Sequence, residues 1–186
     1  MPDDVPKPGT TRDRILGAAI AAFARGPYDA VSLRDIAAAS GVDVAHVHRS
    51  FGSKEKLFAL CLEATLRSGE VLAEPRDVLP QALARQVMTK EAAIGPLDVA
   101  IHSLASPAAR PVLRDVLVRD FLHPLAHRMG RPADARVALA AALLAGTDLL
   151  RELLGLEMLR QDPAGEVEAL LAGLLTALLV PSPAEG

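Results

Sequence analysis

The chain has 186 residues, of which 51% are apolar, 3% aromatic and 23% charged, with a formal net charge of −3. This length holds one generous core or a small domain beside a larger one, and no apolar run is long enough to span a bilayer. The weak acidity speaks against a non-specific nucleic-acid coat protein, which is normally strongly basic. A single cysteine, Cys61, excludes an intramolecular disulfide and fits a reducing cytoplasm.

Long Ala/Leu/Val stretches favour helix nearly throughout. Residues 1–9 combine proline and charge with nothing to bury, which suits a disordered arm and neither a signal peptide nor an anchor. Thr10 or Thr11 then caps a first helix whose Ile15, Leu16, Ala19 and Phe23 recur at helical spacing. Gly26-Pro27 ends it, with Tyr28 packing the corner.

The stretch Val31–Leu57, VSLRDIAAASGVDVAHVHRSFGSKEKL, carries the densest local signals. Ser32 is a natural N-cap, and Asp35 three residues on completes a capping box. Leu33, Ile36 and Ala37 form an inward stripe, Gly41 can close the helix in the left-handed conformation, and Asp43 can cap the next. That next helix, Val44–Ser50, is too short to be stable alone and must lean on its neighbours. Ser53 caps a longer helix expected to run from Lys54 to about Val71, with Glu74-Pro75 as breaker. Two short helices around a glycine turn are helix-turn-helix grammar, and the second is shaped to enter a DNA major groove. Cys61, between Leu60 and Leu62, reads as packing rather than as a nucleophile.

Further helices are expected near 76–93, 97–105, 108–129, 133–160 and 164–180, with a tail at 181–186. Gly95-Pro96, Ser106-Pro107, Gly130-Arg131-Pro132 and Asp162-Pro163 separate them. The 137–154 segment is apolar over most of its circumference, which implies burial on more than one side. Val167, Leu170, Leu171, Leu174, Leu175 and Leu178 form a wide stripe on the last helix.

Within Thr11–Leu60, the words TRDRILGAAIAAF, SLRDIAAASGV and HRSFGSKEKLF resemble, in unbroken order, the DNA-binding domain of the TetR-type transcriptional repressor family. The resemblance implies an all-α protein. An N-terminal three-helix helix-turn-helix DNA-binding domain would occupy 10–53, and a C-terminal helical ligand-binding and dimerisation domain would occupy 54–180. It further implies a homodimer, with a palindromic double-stranded DNA operator and a small-molecule effector as partners and no cofactor. The last two long helices would then form a four-helix interface, two from each protomer.

Residues 1–60 hold eight Lys/Arg against seven Asp/Glu, and the remainder twelve against sixteen, so the weak positive balance sits at the reader. Arg34, Arg49, Lys54 and Lys56 can supply a docking face, with Arg12 and Arg14 near the arm. Val47 and Phe51 should point inward, leaving Val44, Ala45, His46, His48 and Arg49 at the exposed face. Arg49 can fork onto guanine O6/N7, while Val44 or Ala45 can touch a thymine methyl. His46 and His48 can donate to bases or phosphates. By resemblance, Arg34 reaches a base or phosphate, and Lys54 binds a phosphate beside its helix N-terminus, where amide donors also favour an anion. Two positions depart from the family pattern. His48 stands where tyrosine is common, which would make binding pH-sensitive, and Ser50 stands where His or Tyr is common.

The regulatory half is less explicit. A pocket among the middle helices, apolar with a few polar orienters, has Arg85, Met88, His102, Phe121, Thr147 and Asp148 as candidates. Asp98/His102 and His123/His127 share helical faces, but neither pair has the further ligands that zinc requires. No nucleophile elbow or phosphate loop is present. Two other readings stay open: a ligandless DNA-binding activator or architectural protein, and a helical enzyme using His102 or the His123/His127 pair.

Overall fold

A computed structural model of the chain describes residues 9–66, 68–89 and 94–180, which are helices, turns and loops without a strand. In chain order the first helices are α1 (Thr11–Phe23), α2 (Leu33–Ser40), α3 (Val44–Phe51), α4 (Lys54–Leu66), α5 (Ser68–Val71) and α6 (Leu79–Met88). Then follow α7 (Pro96–Ile101), α8 (Ala109–Leu117), α9 (His123–Arg128), α10 (Ala135–Asp148), α11 (Glu157–Arg160) and α12 (Glu166–Leu179). They fall into two compact units: residues 9–65 with 94–114, and the remainder. The expected arm and the 181–186 tail lie outside the described residues, Gly9 apart.

In the N-terminal unit the local signals are realised. Asp13 N donates to Thr10 Oγ1 at 3.2 Å while Thr10 N donates to Asp13 Oδ2 at 2.8 Å. The same reciprocal box joins Ser32 and Asp35 at 3.2 and 3.1 Å. Each box satisfies two amides that a helix start leaves orphaned. Gly41 ends α2 at φ 68, in the left-handed region, and Asp43 accepts from His46 N at 2.6 Å to open α3. Ser53 Oγ accepts from Lys56 N at 3.3 Å at the start of α4.

Ile15, Ala19 and Phe23 of α1 are buried together with Ile36, Val47, Leu57 and Phe58. Phe23 stacks on Tyr28 with ring centroids 5.9 Å apart, and Phe58 meets both rings edge-on at 4.8 and 5.0 Å. In a chain this poor in aromatics, three of them lock the reader's corner. α7 packs on α1. Ser106 Oγ donates to Asp29 Oδ1 at 3.0 Å and accepts from Ala109 N at 3.3 Å, so it caps α8 and ties it to the same unit.

In the second unit, α12 packs chiefly on α6 and α10. Leu171, Ala172, Leu175 and Leu179 join Leu79, Leu83, Val137, Ala140 and Leu144 in one core with Phe121, Leu125 and Met129. Arg131 Nη1 donates to Leu178 O at 2.7 Å and its Nη2 to Asp134 Oδ2 at 2.8 Å, joining the end of α12 to the start of α10. Asp134 in turn caps α10 by accepting from Arg136 N and Val137 N.

Four expectations need correction here. The helix expected at 108–129 contains a π-helical turn at Val118–Leu122. The one expected at 133–160 leaves α-geometry after Asp148 in a second π-turn, Leu149–Leu153, and breaks near Gly155 before α11. Arg151 there donates to Val87 O and Leu159 O, both at 3.2 Å, a set of long-range partners that no periodicity announces. The helix expected at 76–93 begins at Leu79 and ends at Met88, with 90–93 outside the described residues. Finally, the helix expected at 97–105 ends at Ile101. Over 137–154, Val137, Ala140 and Leu144 are covered within the chain, while Leu139 and Leu154 are 55% and 63% exposed.

Candidate nucleic-acid interface

α3 is an eight-residue helix held from three directions. Val47 and Phe51 are buried beneath it, as its periodicity requires. Arg12 of α1 donates from Nη1 to Ser50 O at 2.5 Å and lies 4.3 Å from the centroid of the Phe51 ring. That contact satisfies a carbonyl at the helix end and adds a cation–π contribution. At the exit, Gly52 has φ 80, a conformation costly for any residue with a Cβ. His48 Nδ1 sits 3.0 Å from Gly52 O.

With Val47 and Phe51 fixed inward, Ala45, His48 and Arg49 are exposed, while Val44 and His46 are half-buried. Arg49 Nη2 is 4.0 Å from Asp43 Oδ1, with both side chains about two-thirds exposed. An exposed pair of that length is worth little, so the guanidinium is free to leave it for a base edge. Arg34 is exposed on α2. Lys54 is half-buried: its Nζ rests 4.1 Å from the centroid of the Tyr28 ring. Burial lowers its pKa, against the pull of Asp29 and Glu55, and burial pushes the Tyr28 phenol up to about 12. The two structural roles absent from the sequence reading are Arg12 as a clamp on α3 and Tyr28 as the seat of Lys54.

Of the six pocket candidates, five lie in the second unit and His102 in the first. Arg85 is exposed with Nε 3.6 Å from Glu168 Oε1, and His102 is exposed in the N-terminal unit. Met88 and Phe121 are buried in the second unit, and Thr147 and Asp148 are half-buried on α10. Two open cavities of about 360 and 450 Å³ flank the π-turn at 118–122, and none of the six lines either. Val118, Leu122, His123, Asp134 and Val137 line the first, and Leu72, Arg119, Asp120, His127 and Arg128 line the second. Asp98, paired in the sequence with His102, accepts from Gly95 N at 2.6 Å as a helix cap. Among the described residues no group of His, Cys, Asp and Glu could hold a metal ion, and no helix is long and apolar enough to cross a membrane. Cys61 is buried, and burial pushes its thiol up to about 12.

A capped helix-turn-helix with its second helix presented outward, joined to a separate helical unit, defines a DNA-binding regulator. The family model described as bacterial regulatory proteins, tetR family, matches residues 15–61. That of the tetracyclin repressor-like C-terminal domain matches 77–179. The chain belongs to the TetR family of bacterial transcriptional regulators.

Solved structures agree. A TetR-family regulator from Streptomyces coelicolor A3 is 27% identical with a TM-score of 0.59, over 94% of this chain and 98% of that one. GusR of Salmonella enterica is 25% identical with a TM-score of 0.67, over 95% and 99%. The multidrug binding protein EbrR in complex with ethidium shares the fold at 23% identity and a TM-score of 0.63, over 93% and 100%. Among curated proteins there is no match to the sequence.

Proposed function

We propose that this regulator is an effector-responsive repressor that acts as a homodimer on a palindromic operator. The observation that carries the DNA side is α3, pinned by Arg12 and by buried Val47 and Phe51, with Arg49 only loosely paired. Its operator contacts are Arg34, Val44, Ala45, His46, His48, Arg49 and Lys54. Arg49 reads a base, and Lys54 leaves the Tyr28 ring for a phosphate. Residues 10–53 are the reader, and 54–180 the regulatory and dimerisation part.

Dimerisation is supported by leucines that the single chain leaves uncovered. Leu170 and Leu174 on α12 are 70% and 53% exposed, and Leu139 on α10 also faces solvent. Apolar side chains of this size left in water along two long helices fit a self-complementary surface. Effector binding is supported by the cavities beside the π-turn, since such turns inside helices recur at functional sites, and by the ethidium complex of EbrR. An effector lowers operator affinity only by binding the non-operator conformer more tightly.

The test is fluorescence anisotropy of the protein on its own upstream DNA against scrambled DNA, from 50 to 300 mM salt, with Arg49→Ala alongside. Preference for the upstream duplex, a steep salt slope and weaker binding of the variant support the reading. Equal affinity for both duplexes, with a variant indistinguishable from wild type, contradicts it.

A further inference from the structure

The hydrogen bond between His48 and Gly52 has a chemical consequence. The Gly52 carbonyl oxygen, 3.0 Å from His48 Nδ1, can only accept, so Nδ1 carries the proton. In the neutral imidazole that leaves Nε2 bare, an acceptor with nothing to donate. His48 lies in the last turn of α3, exposed, beside the loop that leads to α4. Tied to the Gly52 carbonyl, the His48 ring is held at the helix exit, where backbone contacts fall, whereas the longer and loosely paired Arg49 side chain can extend to a base edge. A phosphate oxygen accepts and cannot donate, so a neutral His48 held in this tautomer would turn one lone pair toward another.

Resting on the reading of α3 as the recognition helix, we infer that His48 engages the operator backbone only as the imidazolium, so that each half-site takes up a proton on binding. With the second proton on Nε2, the ring spans the Gly52 carbonyl and the phosphate, donating to both. The C-terminal end of α3 favours that cation through its carbonyl dipoles. The charged groups on the flanking elements are Arg12 of α1, Arg34 and Asp35 of α2, Asp43 and Arg49 at α3, and Lys54, Glu55 and Lys56 of α4, with His46 the other imidazole. Lys56 lies alongside Gly52. They are cationic in the majority, and the phosphate supplies the negative charge that a further cation there requires.

The inference is tested by calorimetric titration of the protein into a specifically bound duplex at pH 8. Constant ionic strength and buffers of different ionisation enthalpy yield the number of protons taken up. Engagement only as the imidazolium gives an expected uptake of up to one proton per half-site. Affinity should correspondingly fall by up to about tenfold per pH unit for each half-site, the limit for one linked proton, and so by up to about a hundredfold for a dimer on both half-sites. His48→Gln, whose amide donates at every pH, should lose both the uptake and the pH slope. Specific binding without proton uptake, or uptake unchanged in His48→Gln, overturns the inference and leaves the DNA-binding reading standing. Absence of specific binding at any pH overturns that reading and the inference with it.

Discussion

Leu170→Glu should convert the regulator to a monomer without unfolding it. Leu170 is 70% exposed in the single chain, so the substitution removes little from the protomer's own core. Fully burying a leucine is worth about 1.5–3 kcal/mol. Covering the exposed 70% at a dimer interface is therefore worth about 1–2 kcal/mol. A two-fold interface counts the residue twice, which gives about 2–4 kcal/mol before the cost of desolvating two facing carboxylates. A loss of about 3–5 kcal/mol weakens the dimer on the order of 10²–10⁴-fold. Sedimentation equilibrium from nanomolar to tens of micromolar protein would read the change, with circular dichroism confirming intact helix and Gln81→Glu on exposed α6 surface as control. An unchanged dissociation constant in Leu170→Glu would show that α12 does not form the interface. A wild-type protein monomeric at tens of micromolar would remove the dimer altogether.

Arg131→Ala should destabilise the fold by about 1.5–3 kcal/mol, because a nearly buried guanidinium leaves the Leu178 carbonyl and the Asp134 carboxylate without their partner. Urea denaturation reading less than about 0.5 kcal/mol would refute that role for the residue. Asp13, Asp35 and Asp134 are each held below the ordinary carboxylate range, by Thr10, Ser32 and Arg131 respectively. Their contribution is thus present above the unfolded value of about 3.9 and lost as pH falls through the lower folded values. Tm should hold steady down to about pH 5 and drop below about pH 4, whereas a Tm unaffected by acid would deny the caps any linkage. Cys61, buried with its thiol pushed up to about 12, should not react with Ellman's reagent in the native state and should react at once in denaturant. Fast native labelling would contradict its burial.

The reader was legible because its determinants are local. Thr10 with Asp13, Ser32 with Asp35, and Asp43 with His46 act across three residues, and Gly41 closes α2 within the same span. Such spacing is written directly into the sequence. The contacts that position α3 and the start of α8 are of another kind. Arg12 reaches Ser50 across 38 residues, and Ser106 reaches Asp29 across 77. Nothing periodic marks either pair, and Arg12 looked equally suited to DNA. The π-turn at Leu149–Leu153 was hidden for the opposite reason. Over 137–154 apolar residues lie all round, so a shift in register leaves the pattern unchanged. The cavities lie beside the other π-turn, Val118–Leu122, and none of Arg85, Met88, His102, Phe121, Thr147 and Asp148 lines them.

Selection of bound duplexes from random-sequence DNA, run in parallel with wild type and Arg49→Ala, tests the dimeric reader most directly. Wild type should enrich an inverted repeat with half-site centres about one helical turn, ~34–36 Å, apart. Arg49→Ala should lose preference at one base pair of each half-site, by about 1–3 kcal/mol, and keep the rest. An enriched sequence without two-fold symmetry, or a preference that Arg49→Ala leaves untouched, would contradict a homodimer reading DNA through α3.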